Sequence, residues 1–339
     1  MDLDAVAEWS RYVVVVAVLV YLAAWLAFCA EGGLRSRLRR SAEVAAAERS
    51  ADRLNELIAV GGSSSTVSGA SAGAGAGASE AGPGDAEIEE RADRLGRNGR
   101  VLFGLATLVL AAGVVMRGVG TGRTPWANMY EFSITGALVA SIVFLVLART
   151  VVGKVVAVWA VLLIFVTVGL AATFLYVPPG PLQPALQSYW LVIHVGCAVL
   201  AFGLFTVSAV VSALQIVSER AADRGRTSGF GASLPDSGAL DRLAYRLTAI
   251  GFPIWTFGPL ILGAIWAEVS WGRYWGWDPK EVWALITWLA YAAYLHARAT
   301  AGWKGSKASV VALVGYATVL FSYFGVNILF NGLHSYGGL

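Results

Sequence analysis

Cysteine, histidine and charge are all scarce in this chain of 339 residues. There are two cysteines and three histidines, and 14% of the residues are charged. Cys29 and Cys197 form no Cys-x-x-Cys pair, which excludes a thiol-exchange centre and a cysteine-built zinc site. They fall at opposite depths of separate apolar runs, so no disulfide is expected between them, and both are read as small packing residues. The net charge of +3 marks out no basic surface for nucleic acid. The first apolar run also lacks a basic leader. Asp2, Asp4 and Glu8 precede it and Arg35, Arg37, Arg39 and Arg40 follow it, a pattern expected of a retained span rather than a cleaved signal peptide.

What is present is apolar. Hydrophobic residues make up 57% of the chain and the mean hydropathy is +0.64. Runs of roughly 20 apolar residues are long enough to cross a bilayer, and their continuous rather than alternating pattern makes them helices. The expected fold class is therefore all-α, a polytopic membrane bundle of about eight transmembrane helices. The spans lie near 12–29, 101–117, 130–148, 155–176, 189–217, 244–266, 281–298 and 308–330. With both termini outside, all but Arg11, Arg117, Arg123, Arg273 and Lys280 of the 25 basic residues fall on the inner side. Three regions follow: a leading helix at 1–30, a cytoplasmic segment at 31–100, and a seven-helix block at 101–339. The cytoplasmic segment has a helical stretch over 42–58 and a Gly/Ser/Ala linker over 61–84, which buries no hydrophobic set and is expected to be disordered.

The most informative stretch is Trp271–Trp288, WGRYWGWDPKEVWALITW, which holds five of the thirteen tryptophans. Asp278 suits an N-cap, Pro279 the first helical position, and Glu281 the acid of a capping box. Trp271, Trp275 and Trp277 then sit on a short loop, with Trp283 and Trp288 on the helix it opens. Such a loop offers flat apolar faces to a large planar ligand. The alternative is an aromatic belt at the membrane surface. Upstream, Asn128 and Glu131 place an amide and an acid at the mouth of the third span.

Each histidine falls where a membrane position asks for a reason. His194 lies just inside the outer end of the fifth span and His334 directly follows the last one, so both share the depth of the tryptophan loop. His296 lies seventeen residues past Pro279, about 26 Å along a helix, near the inner face. Imidazole is a common axial ligand of haem iron, and a porphyrin is a flat amphipathic plate. Two outer histidines with aromatics between them make a bis-histidine haem site. A hydrogen-bonded packing role is the alternative, and it weighs most for the solitary His296.

At these residues the chain resembles a known family. The pattern Trp-Gly-x-x-Trp-x-Trp-Asp-Pro-Lys-Glu is similar to the tryptophan-rich WWD domain of haem-handling proteins. Its flanks, Tyr294-Leu295-His296-Ala297-Arg298 and Gly332-Leu333-His334-Ser335-Tyr336, resemble the CcsA/ResC proteins of system II cytochrome c biogenesis (called CcsB in some bacteria), as does Asn128-Met129-Tyr130-Glu131. The likeness covers roughly residues 100–339.

The resemblance implies that His194 and His334 ligate one haem b from either side, with Trp271, Trp275, Trp277, Asp278 and Trp283 contacting it. It implies that His296 binds haem at the inner side before export. No fourth histidine exists to complete that inner site, so a ResB-like membrane subunit is expected to supply one. The implied role is haem export and presentation to apocytochrome c carrying Cys-x-x-Cys-His, as a component of a haem lyase of the holocytochrome c synthase type. Thiol-reducing proteins would act indirectly. The expected location is the plasma membrane, with the tryptophan site on the extracytoplasmic face. Arg273 and Lys280 are candidates for the haem propionates, with an ordinary surface role as the alternative. The rival function is a haem exporter or chaperone without ligation activity, and a quinone-binding redox subunit is a third.

Overall fold

The computed structural model describes residues 2–61, 83–148, 150–180, 186–226, 229–300 and 302–334. Among these the regular structure is helical, without a strand. The linker expected to be disordered over 61–84 lies almost wholly outside the described residues. Among the described residues, seven helices are long and apolar enough to cross a membrane. An eighth, α8 (Pro279–Thr300), has 22 residues but carries Lys280, Glu281 and Arg298 at its ends.

The chain divides into two compact units, Leu26–Gly99 on the one hand and Met1–Trp25 with Arg100–Leu339 on the other. The smaller unit is formed from parts of α1 (Leu3–Gly61) and α2 (Pro83–Thr121). Arg35 binds Glu31 at 2.9 Å and Asp93 at 2.7 Å, and Phe28 lies on Gly99. Rising numbers on one helix meet falling numbers on the other, so the pair is antiparallel. No separate helix begins near Ala42. The span runs straight on to Gly61, because the sequence past Gly33 is rich in Ala, Leu, Glu and Arg, which favour helix, and contains no proline.

The larger unit packs around α5 (Tyr189–Asp223), which is buried along most of its length. It lies against α3 (Met129–Leu147), α6 (Ser237–Trp255) and α9 (Ser306–Leu320); α4 spans Val151–Phe174. Small residues permit close approach, with Gly203 against Val139 and Gly251 against Phe205. Phe202, Phe205, Trp255, Ala284, Tyr291 and Val319 form a shared core, in which the rings of Phe205 and Tyr291 stack at 4.0 Å. Hydroxyls bridge helices where no water reaches: Tyr21 to Ser141 at 2.9 Å and Ser208 to Thr248 at 2.9 Å.

Two spans change their winding part-way. The path of α6 passes through a π-helical segment, Thr256–Leu262, before α7 (Gly263–Trp271). That of α9 passes through another, Phe321–Gly325, before α10 (Val326–Leu329). In the first, Pro253 and Pro259 remove backbone donors, which interrupts the ordinary ladder and lets carbonyls turn elsewhere. Gly272 then ends α7 in the left-handed conformation at φ 72°. The capping box expected at α8 is present: Asp278 accepts from the Lys280 N–H at 3.3 Å, and Glu281 reaches back to the Asp278 N–H at 3.0 Å.

Candidate functional site: a histidine-bearing aromatic cavity

The start of α8, the two π-helical segments, α5 and the loop before α3 enclose one large cavity. It has about 1170 Å³ of empty space, a figure that includes space open to the exterior. Its walls are aromatic: Trp126, Phe132, Trp255, Trp266, Trp271 and Trp275 all face it, and so do His194 and His334.

His194 comes from the second turn of α5. Its Nδ1 lies 3.0 Å from the carbonyl oxygen of Gly258, inside the first π-helical segment. A carbonyl only accepts, so Nδ1 carries the proton and Nε2 carries the lone pair. Space for the ring depends on glycine, since a Cβ on Gly263 would stand 2.9 Å from His194 Cε1. His334 comes from the short turn after α10. Its Nδ1 donates to Asp278 Oδ2 at 2.6 Å, while Asp278 Oδ1 accepts the Leu333 N–H at 2.7 Å. One carboxylate therefore caps α8, fastens the turn carrying His334 and orients its ring. Burial pushes the His334 imidazole below its ordinary pKa, outweighing the attraction of Asp278. Burial raises the Asp278 carboxyl, but the hydrogen bond and charge of His334 and the Leu333 and Lys280 N–H groups hold it below the usual range. At neutral pH the pair is a neutral imidazole on an ionised carboxylate, the form in which histidine ligates a metal.

Both rings lie against one indole. Trp266 is fully buried; His194 stacks on it at 5.8 Å and 10°, and His334 lies 5.5 Å away. Trp271 stands edge-on to both Trp266, at 4.7 Å, and His334, at 5.0 Å. The wall that holds Trp126 is fixed from behind by Glu131. It accepts from Arg117 Nε at 2.9 Å, Arg123 Nη1 at 2.7 Å and the Ala127 N–H at 2.8 Å, with both Arg117 and Glu131 fully buried. Removing one member would strand a buried charge.

The residues singled out in the sequence divide. His194, His334, Trp271 and Trp275 share the cavity, and Asp278 stands directly behind His334. Trp277 does not line it. That side chain is 70% exposed on a residue with φ 58°, a left-handed conformation rare for an aromatic residue. Trp283 packs instead on Phe321, at 4.1 Å between rings. His296 is exposed near the other end of α8 and does not line this cavity. Arg273 is exposed, whereas Lys280 faces the cavity. Sequence reasoning missed Trp126 and Trp266 as walls, Gly258 as a hydrogen-bond acceptor and Gly263 as a spacer. Trp126 and its clamp carried a signal in the polar run around Glu131. Trp266 carried none, being one apolar residue in an apolar span.

Residues 126–334 match the cytochrome C assembly protein family. The chain belongs to that family. The match runs from Trp126 to His334, the first and last residues of the cavity wall. Relatives named cytochrome c biogenesis protein CcsA occur in Chlamydomonas reinhardtii and Synechococcus sp. (strain CC9902). The first is 35% identical over 246 residues, covering 70% of this chain and 68% of the relative. The second is 37% identical over 262 residues, covering 70% and 86%. Among solved structures, "Cytochrome c Heme Lyase CcmF" superposes with a TM-score of 0.59 at 16% identity, over 98% of this chain and 48% of that one. That likeness is one of fold, and this chain spans about half of CcmF's length.

Proposed function

We propose that the chain binds haem b in the aromatic cavity and presents it to apocytochrome c, as the CcsA-type component of a haem lyase. The observation that carries this reading is the paired support of His194 and His334. Each ring has its Nδ1 proton directed to an oxygen, and both lie against Trp266 at one cavity. Haem is the cargo and substrate. The two imidazoles hold its iron, the indoles grip its plane, and the substrate histidine of Cys-x-x-Cys-His displaces one of them. Each cysteine thiol then adds across a vinyl group. A carbon–sulfur bond forms to one vinyl carbon, the thiol hydrogen passes to the other, and the double bond is consumed without net oxidation. The chain contributes orientation rather than an acid or base.

His296 is proposed as the inner haem ligand, with a ResB-like subunit supplying its partner imidazole. Its exposure on α8 leaves it open to such a subunit. The plasma membrane, an extracytoplasmic site, outward termini and indirect help from thiol-reducing proteins belong to the same reading. A haem exporter without ligation activity would use the same cavity. Co-expression of the chain and a ResB-like subunit with an apocytochrome tests the difference: ligation activity gives covalent cytochrome, while export alone gives haem that pyridine and acid acetone extract.

A further inference from the structure

We propose that the Lys280 ammonium receives a carboxylate of the cavity's occupant and thereby decides which edge of a porphyrin lies at the start of α8. The inference rests on the haem reading and adds to it the site of one ligand group. The cavity wall is mainly apolar and aromatic, and among the described residues Lys280 is, apart from the histidines, the one basic side chain that faces it. Its Nζ lies 5.8 Å from the centre of the Tyr323 ring and forms no ion pair among the described residues. The neighbouring acids are engaged elsewhere. Asp278 accepts from His334, from the Leu333 N–H and from the Lys280 backbone N–H. Glu281 Oε2 accepts from the N–H groups of Gly276 at 2.8 Å and Asp278 at 3.0 Å.

An ammonium in such a wall is satisfied by water only while the cavity is open. A flat ligand that fills the space expels that water, and the stranded charge then opposes binding unless the ligand brings an anion. Discrimination follows. A neutral ring meets a desolvated cation, whereas an acidic ring meets a partner. In haem b the propionates project from one edge of the macrocycle and the vinyl groups from the rest. A propionate on Lys280 thus also settles where the vinyl groups lie when the thiols arrive.

The test titrates the purified full chain in detergent with ferric haem b and, separately, with its dimethyl ester, following the absorbance of the bound ring. Wild type, Lys280→Gln and Lys280→Arg are compared. Lys280→Gln should weaken the free acid about tenfold or more, as expected for loss of a charged hydrogen-bond partner, and leave the ester within about twofold. Lys280→Arg should keep the preference for the acid. Unchanged affinity of Lys280→Gln for the acid would overturn the proposal, and so would equal losses for acid and ester. Failure of the wild type to bind either ring would instead bring down the haem reading itself.

Discussion

At the Pro279 end of α8, two histidines lie against a single buried indole inside a large cavity. Toward the Thr300 end, a third histidine stands exposed on the helix surface. The first end puts its polar groups behind the two imidazoles: Gly258 and Asp278 each engage one ring. The second end spends them on ties between helices, α8 to α6 and α9 to α5. Asp241 takes both guanidinium arms of Arg298 at 2.6 and 2.9 Å, and Glu219 holds the Ser306 hydroxyl at 2.6 Å. So one end gathers two imidazoles and flat indoles around one cavity, and the other supplies a lone imidazole on a braced surface. On the proposed reading, the difference separates a self-sufficient site from half of a shared one.

The sharpest way to break this contrast is to delete the cavity histidines. His194→Ala or His334→Ala should each abolish covalent cytochrome c formation, and added imidazole should restore part of it by entering the space left by the ring. Normal maturation in both single variants would remove the bis-histidine site.

Next in size is Asp278→Asn. It leaves the helix cap nearly intact but replaces the carboxylate that orients His334. Loss of such a support typically costs 10–100-fold in metal affinity. Haem titration of the purified variant should show a loss on that scale, with the amount of inserted protein unchanged.

Gly263→Ala puts a methyl carbon 2.9 Å from His194 Cε1. Because the ring is pinned to Gly258, the expected outcome is a several-fold fall in haem content of the purified chain, with imidazole restoring the low-spin spectrum. A neutral result would show that the π-helical segment yields.

The tryptophans give the smallest and most selective effect. Trp275→Ala should lower copurified haem by removing a cavity wall, while Trp277→Ala, at an exposed position, should leave haem content within about twofold. Equal losses would place Trp277 at the ligand after all, through closure of the loop.

Much of the cavity end was legible because its signals are local. The Asp-Pro-Lys-Glu run fixes the start of α8 within a few residues, and apolar length alone fixes most of the spans. The rest depends on long-range contacts. Nothing near Gly258 announces that its carbonyl will meet His194, 64 residues away. Nor does anything near Trp266 set it apart from the other apolar residues of its span. The π-helical segments were invisible for a related reason: proline and glycine mark a possible break in the ladder, but packing decides whether it becomes a kink or a wider turn. Trp277 and Trp283 illustrate the converse. They belong to the motif by spacing, yet the left-handed turn at Trp277 and the contact of Trp283 with Phe321 direct them elsewhere.

The most direct test of the central claim is the absorption spectrum of the His194→Ala/His334→Ala double variant, reconstituted with haem and without any partner subunit. His296 is then the one histidine left in the sequence. The account predicts six-coordinate, low-spin bis-histidine bands for the wild type and their loss in the double variant. A full bis-histidine spectrum from the double variant would contradict it.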